Sequence, residues 1–210
     1  MHLLIVNSNT SPGITRQVAT EAWSLARAGA VISAVTAPYG VPAIETPEDA
    51  RIAAAATCDA IRSAGPVDAA IIACFSDPGL VQIREEVAFP VIGIAEAAML
   101  DAAAMGDRFA ILTVAPTTIP GIRQTADEYG VAGQLTGVHA LNRGVLDSHA
   151  DPGRTLKDMT DLAQAVLSAE KPDVLVLGGA VTAGMTRHLA HLIPVPLIDG
   201  LGCAMARAGA

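Results

Sequence analysis

Aromatic side chains are scarce. Three Phe, two Tyr and one Trp amount to 3% of the 210 residues. A core made from this chain must interdigitate Ala, Val, Ile and Leu, and few ring faces remain for stacking against a ligand. Charge is scarce too, at 16% of residues, and positive charge scarcer: 13 Lys and Arg stand against 21 Asp and Glu, a formal net charge of −8. That balance argues against nucleic acid and anionic membranes as partners, since both reward cationic excess. It leaves open a small anion held by backbone amides. No apolar run reaches the roughly 18 residues that suggest a membrane span. No basic segment followed by an apolar stretch and a cleavage site opens the chain, so a cytoplasmic location is expected. Cysteine is limited to Cys58, Cys74 and Cys203, too irregularly spaced for a disulfide framework. Neither G-x-G-x-x-G nor G-x-x-x-x-G-K-[ST] occurs, so nothing argues for a nucleotide cofactor.

What the chain has is apolar content, 51% of residues, arranged as short runs between alanine-rich stretches. Strands are expected at 2–6, 31–36, 68–73, 90–94, 109–114, 134–138, 173–177 and 195–198. Helices are expected around 13–28, 47–64, 78–87, 96–105, 118–129, 154–169, 183–192 and 200–208. Continuous apolar strands alternating with helices imply parallel sheets covered on both faces, an α/β fold.

The sequence also repeats. VDAAIIACFSDPGL at 67–80 parallels PDVLVLGGAVTAGM at 172–185, and PVIG at 90–93 parallels PLID at 196–199. NTSPGI at 9–14 likewise parallels TTIPGI at 117–122. Three matches in order at nearly constant offset imply two similar α/β halves. The expected architecture is two four-stranded parallel sheets related by a pseudo-two-fold axis, with ligands in the cleft where the carboxyl ends of both sets of strands meet. Residues 1–95 plus 195–210 would form one half and 96–194 the other.

The stretch IIACFSDPG at 71–79 ends an apolar run in a cysteine, and Asp77–Pro78 reads as the N-cap and first turn of a helix. A helix starting there would lower the Cys74 thiol from its ordinary pKa of about 8.5. The competing reading is an inert cysteine packed as a small hydrophobe. Its counterpart in the second half is Gly179, either a pocket wall whose N–H approaches a ligand or a plain helix-entry glycine. Asn9, Thr10 and Ser11 follow the first strand and can bind a carbonyl or carboxylate, or cap a helix. Thr113 and Thr117 hold the related place in the second half. Phe75 and Ser76 would offer backbone N–H groups beside Cys74, and Ala180 and Val181 the equivalent pair opposite. Glu96 reads as a favourable charge at a helix start, or as a group facing the cleft. Cys58 reads as packing and Cys203 as a thiol that could approach the cleft. His188 and His191 lack a companion ligand in sequence, so no metal is expected.

The motifs VNSNTS (6–11), ACFSDPGL (73–80), GIAEAAM (93–99), TIPGI (118–122) and PLIDG (196–200) resemble the hydantoin racemase branch, allantoin racemases included, of the aspartate/glutamate racemase superfamily. The resemblance spans nearly the whole chain. It implies a small-molecule substrate, no metal or pyridoxal phosphate, a homo-oligomer, and two cysteines on opposite sides of a substrate Cα. Cys74 matches the first. The second belongs in the LGGA stretch, where Gly179 stands in place of the family's cysteine. Arylmalonate decarboxylases are similar in pairing one cysteine with one glycine, but in the opposite halves. By the resemblance, Asn9 is the best ligand candidate. Three functions follow: an isomerase acting at the acidic Cα of a hydantoin-like or amino-acid-derived substrate, with water, a hydroxyl such as Thr182, or a readily exchanging substrate α-proton making up for the second thiol; a decarboxylase of disubstituted malonates with Cys74 as sole proton donor; or a binding protein without turnover.

Overall fold

The computed structural model describes residues 1–209. Each expected strand forms. β1 (His2–Asn7), β2 (Val31–Thr36), β3 (Ala69–Ile72) and β4 (Val91–Gly93) pair in parallel in the order β2-β1-β3-β4. β5 (Phe109–Thr113), β6 (Leu135–Ala140), β7 (Val174–Leu177) and β8 (Leu197–Asp199) repeat that order as β6-β5-β7-β8.

The strands are apolar on both faces because both are covered. In β1, Leu3 and Ile5 point to a central core while Leu4 and Val6 point to an outer one. In β7, Val174 and Val176 share the central core, and Leu175 and Leu177 face the opposite outer layer. The alternation follows from side chains projecting to opposite faces along a strand. The central core takes side chains from both sheets, among them Ile71, Ile94, Met99, Phe109, Ile111 and Met205. Full burial of each such side chain contributes about 1.5–3 kcal/mol, so the two halves are held by one continuous apolar interior.

Helices begin where the sequence offers caps. Ser11 caps α1 (Pro12–Leu25), and Thr46 and Asp49 form a capping box on α2 (Pro47–Arg62). α3 (Leu80–Arg84) and α4 (Ile94–Met105) follow; then α5 (Ile119–Glu128), α6 (Val145–Ala150), α7 (Pro152–Glu170, capped by Asp151), α8 (Thr186–Leu189) and α9 (Gly200–Ala208, capped by Asp199).

Four expectations need correction. The helix expected at 78–87 is only α3; Asp77 does not cap it but lies at φ +42°, a left-handed position that Asp tolerates. The helix expected at 183–192 starts only at Thr186, after Gly184 at φ +84°, and gives way to a tight turn at 190–192. α6 was not anticipated: its six residues are too few for a visible helical period. Residues 195–199 do not belong to the first half, since β8 hydrogen-bonds beside β7; only α9 crosses back, packing against α4 and α1. Residue 210 lies outside the described residues. Among them no helix is long and apolar enough to cross a membrane.

The Asp77 carboxylate instead caps α4. It accepts the backbone N–H groups of Ala95 (3.0 Å) and Glu96 (2.7 Å) and the hydroxyl of Tyr129 (2.7 Å), which closes α5. Gly93 leaves the room this needs, because a Cβ there would collide with the Asp77 carboxyl. Gly93→Ala should therefore dislodge the cap at a cost of about 2 kcal/mol, lowering Tm by roughly 4–8 °C. An unchanged Tm in differential scanning calorimetry would show that the Asp77 cap contributes little.

Candidate active site

A cavity of ≈ 80 Å³ opens at the carboxyl ends of the central strands of both sheets. That is more than one water occupies, so a small organic ligand has a place to enter. β3 delivers Cys74, Phe75 and Ser76, and the turn after β1 delivers Asn9. β5 ends at Thr113, with Thr117 just beyond, and the turn after β7 brings Gly179, Ala180 and Val181. These nine residues, all singled out in the sequence, thus line one cavity. Thr10 does not; its backbone N–H bonds the Val41 carbonyl at 2.9 Å, which ties it to the loop between β2 and α2.

Cys74 lies 3.3 Å from the Ser76 hydroxyl. Burial pushes its thiol up to about 11, partly countered by hydrogen bonds from the Ser76 side chain and backbone and reinforced by the nearby Asp77. The lowered pKa expected from the sequence is therefore reversed. Its premise fails, because the helix begins only at Leu80; nor, among the described residues, does a cationic side chain line the cavity to lower the thiol instead. At neutral pH Cys74 is a thiol, a group ready to give a proton. Asp77 itself is pushed up by burial to about 6, and burial with the adjacent Asp77 also raises the Tyr129 phenol.

Asn9 is 6% exposed. Its Oδ1 accepts from Asn7 Nδ2 and from the Ser11 backbone N–H, both at 2.9 Å. Those two donors fix the amide orientation and leave Nδ2 without a protein acceptor among the described residues, on a residue that faces the cavity. Such an N–H suits a ligand carbonyl or a developing oxyanion.

The opposite wall depends on two glycines for different reasons. A Cβ on Gly178 would stand 3.0 Å from the Phe75 ring, which lies across it and Ile111. Phe75 thus brings an aromatic wedge as well as a backbone N–H. Gly179 adopts φ +115° and ψ 144°, and a Cβ on it would meet nothing nearer than Val181 at 3.9 Å. Space for a side chain exists, but the backbone there excludes most L-residues. Gln17 of α1 steadies this wall by donating Nε2 to the Val181 carbonyl at 2.7 Å, while its Oε1 meets His149 Nδ1 of α6 at 2.9 Å.

The remaining candidates lie elsewhere. Thr182 is buried with its hydroxyl on the Gly179 carbonyl at 2.7 Å. Glu96 pairs with Arg84 at 2.6 Å. Cys58, on α2, packs in the outer core beside β1 and β3, and Cys203 sits in the central core with its thiol pushed up by burial and by Asp101. His188 and His191 are exposed, and among the described residues no group of His, Cys, Asp or Glu gathers for a metal. Sequence reasoning missed Ile44, Glu45, Thr46, Pro47 and Ala50, which close one side of the cavity, and Val145 of α6 facing them. The helix expected at 47–64 marked the start of this segment but carried no sign of where that start would be placed.

The Asp/Glu/Hydantoin racemase family model matches residues 3–208. A hydantoin racemase of Rhizobium meliloti is 32% identical over 213 aligned positions, covering 100% of this chain and 88% of the relative. The structure of an allantoin racemase from Klebsiella pneumoniae superposes with a TM-score of 0.95 at 33% identity, covering 100% of this chain and 86% of that one. A double mutant of arylmalonate decarboxylase superposes with a TM-score of 0.72 at 16% identity over 99% of this chain and 91% of that one, a likeness of fold alone.

Two outcomes test this geometry. Iodoacetamide alkylation of Cys74, followed by peptide mass spectrometry, should accelerate about tenfold per pH unit from pH 8 to 10, since only the thiolate reacts; a plateau below pH 9 contradicts a thiol raised by burial. Gly179→Ala should lower stability by about 1–2 kcal/mol through backbone strain despite the open space. An unchanged denaturant midpoint would mean that the wall relaxes to accept a side chain.

Proposed function

The chain belongs to the Asp/Glu/hydantoin racemase family, and from that premise we propose that it is a cofactor-independent isomerase that moves a proton at the acidic Cα of a hydantoin-like substrate, with Cys74 as its proton-transfer group. One observation carries the reading: Cys74, Asn9 and the Gly179 wall converge on a cavity in a chain matching a hydantoin racemase over its full length.

The residues suggest a division of work. Asn9 Nδ2 would hold the carbonyl next to Cα, stabilising the charge that develops on oxygen as the Cα–H is lost. Thr113 and Thr117 would hold further ring heteroatoms. Cys74 would exchange a proton on one face of the planar enolate. The Gly179 face has no side chain to do the same, so solvent would serve it. Because the resting thiol is protonated, a Cys74 base should act through its minor thiolate fraction, and kcat/KM should rise with pH through the alkaline range.

The decarboxylase reading gains from one observation, since a protonated Cys74 is a ready donor to a carbanion formed by loss of CO₂. It loses on another: a malonate brings two carboxylates, and the lining offers no cation to receive them. Proton NMR in D₂O separates the readings, using one enantiomer of 5-isobutylhydantoin and, in parallel, phenylmalonate, each beside Cys74→Ala. The expected result is loss of the hydantoin Cα–H signal faster than the optical rotation decays, with the enzymatic rate falling at least about a hundredfold in the variant. Formation of deuterated phenylacetate instead would move the protein to the decarboxylases. No change in either substrate would leave a binding protein.

A further inference from the structure

Glu45 carries the one charged side chain on the cavity lining. It lies in the segment between β2 and α2, directly before the Thr46 cap. Its Oε1 accepts the backbone N–H of Val145, at the start of α6, at 2.6 Å. The chain thereby reaches from one half to the other across the side of the cavity closed by Ile44 and Pro47. This bond pins the carboxylate in place. Oε2 has no hydrogen-bond partner and no salt-bridge partner among the described residues.

A carboxylate held by one oxygen with the other left unpaired is a selective acceptor. Placed in an otherwise uncharged, largely apolar lining, it attracts an N–H donor or a cation and repels a second carboxylate, with less solvent screening than at an open surface. The opposite choice would require an Arg or Lys, and none lines the cavity.

We infer that Glu45 is a specificity-determining residue, selecting substrates whose Cα substituent ends in an N–H-bearing group (ureido, guanidinium or ammonium) and rejecting those ending in a carboxylate. The inference rests on the hydantoin reading for the reacting ring, but concerns the substituent that the ring carries. Oε1 stays on Val145, and Oε2 accepts the substituent's N–H.

The test compares 5-(3-ureidopropyl)-, 5-isobutyl- and 5-(2-carboxyethyl)hydantoin on the wild-type protein and on Glu45→Gln, which keeps an oxygen for Val145. By Cα–H exchange in D₂O, wild type should favour the ureidopropyl over the carboxyethyl compound at least about tenfold in kcat/KM, the worth of a hydrogen bond to a charged group. Glu45→Gln should shrink that ratio about tenfold, chiefly by improving the carboxyethyl compound. A merely structural Glu45 would slow all three together and leave the ratio unmoved, which overturns the inference. Protection of Cys74 from iodoacetamide by the same three compounds is the readout that needs no turnover. Graded protection that levels in Glu45→Gln, with no exchange by any compound, would uphold the selectivity and defeat the catalytic reading. Equal protection by all three in wild type, or protection by none, would overturn the inference.

Discussion

The carboxylate of Asp77 joins what the rest of this molecule depends on. It stands three residues after Cys74, in a turn forced to positive φ, and accepts from the first turn of α4 and from Tyr129 at the end of α5. A single buried group thus fixes the loop that presents Cys74, the start of the helix that runs between the sheets, and a contact with the second half. Burying a carboxylate is costly unless its acceptor sites are filled, and three donors fill them here. The cost appears as an Asp77 pKa raised to about 6 and as a contribution to the raised Cys74 thiol. Burial is the main reason the thiol stays protonated, and the anchor that places it adds a smaller push in the same direction.

The closing contacts between the halves follow a second rule: they are single polar bonds set around an apolar interior. Gln17 reaches Val181 and His149, Glu45 reaches Val145, and Arg187 pairs with Glu21. Two of these end on α6. Central-core burial supplies the bulk of the cohesion, whereas each such bond contributes only about 1 kcal/mol. Their effect is on shape: they determine which side chains face the cavity and how far its walls stand apart.

How much of this was legible in the sequence varies with the kind of signal. The strands were legible because buried parallel strands are unbroken apolar runs, and the internal repeat placed Cys74 opposite Gly179 before any coordinates. Cys74, Phe75, Ser76, Asn9, Thr113, Thr117, Gly179, Ala180 and Val181 came together on one cavity, since strand ends in a repeated α/β unit point to one place. The failures share a cause. Asp77 looked like a local cap because Asp-Pro is a local signal, but its partners are 18 and 19 residues away in α4 and 52 away in α5. The thiol pKa was misjudged because burial, its largest cause, is invisible in a pattern of neighbours. Glu45 bonds a residue 100 positions away, and no periodicity encodes such a reach. Thr10 failed by a single position, where one backbone bond turned the chain.

Gly179 is where sequence and geometry together say more than either. In the sequence it stands where the family resemblance leads one to expect a thiol. In the structure it is also a backbone at φ +115°, fixed on one side by the Thr182 hydroxyl on its carbonyl and followed by Val181, which Gln17 holds. A wall that had merely lost its cysteine could keep a conformation that an L-residue accepts; this one holds a conformation that glycine alone accepts readily. Restoring a second thiol would then demand rebuilding the turn as well as changing the residue. On the proposed reading the two faces of the substrate would meet different chemistry: a protonated, half-buried thiol on one side, and on the other a glycine with room for water. Such a site would exchange the Cα proton with retention more often than it inverts the centre, and the imbalance would follow from the backbone at Gly179 as much as from the absent sulfur.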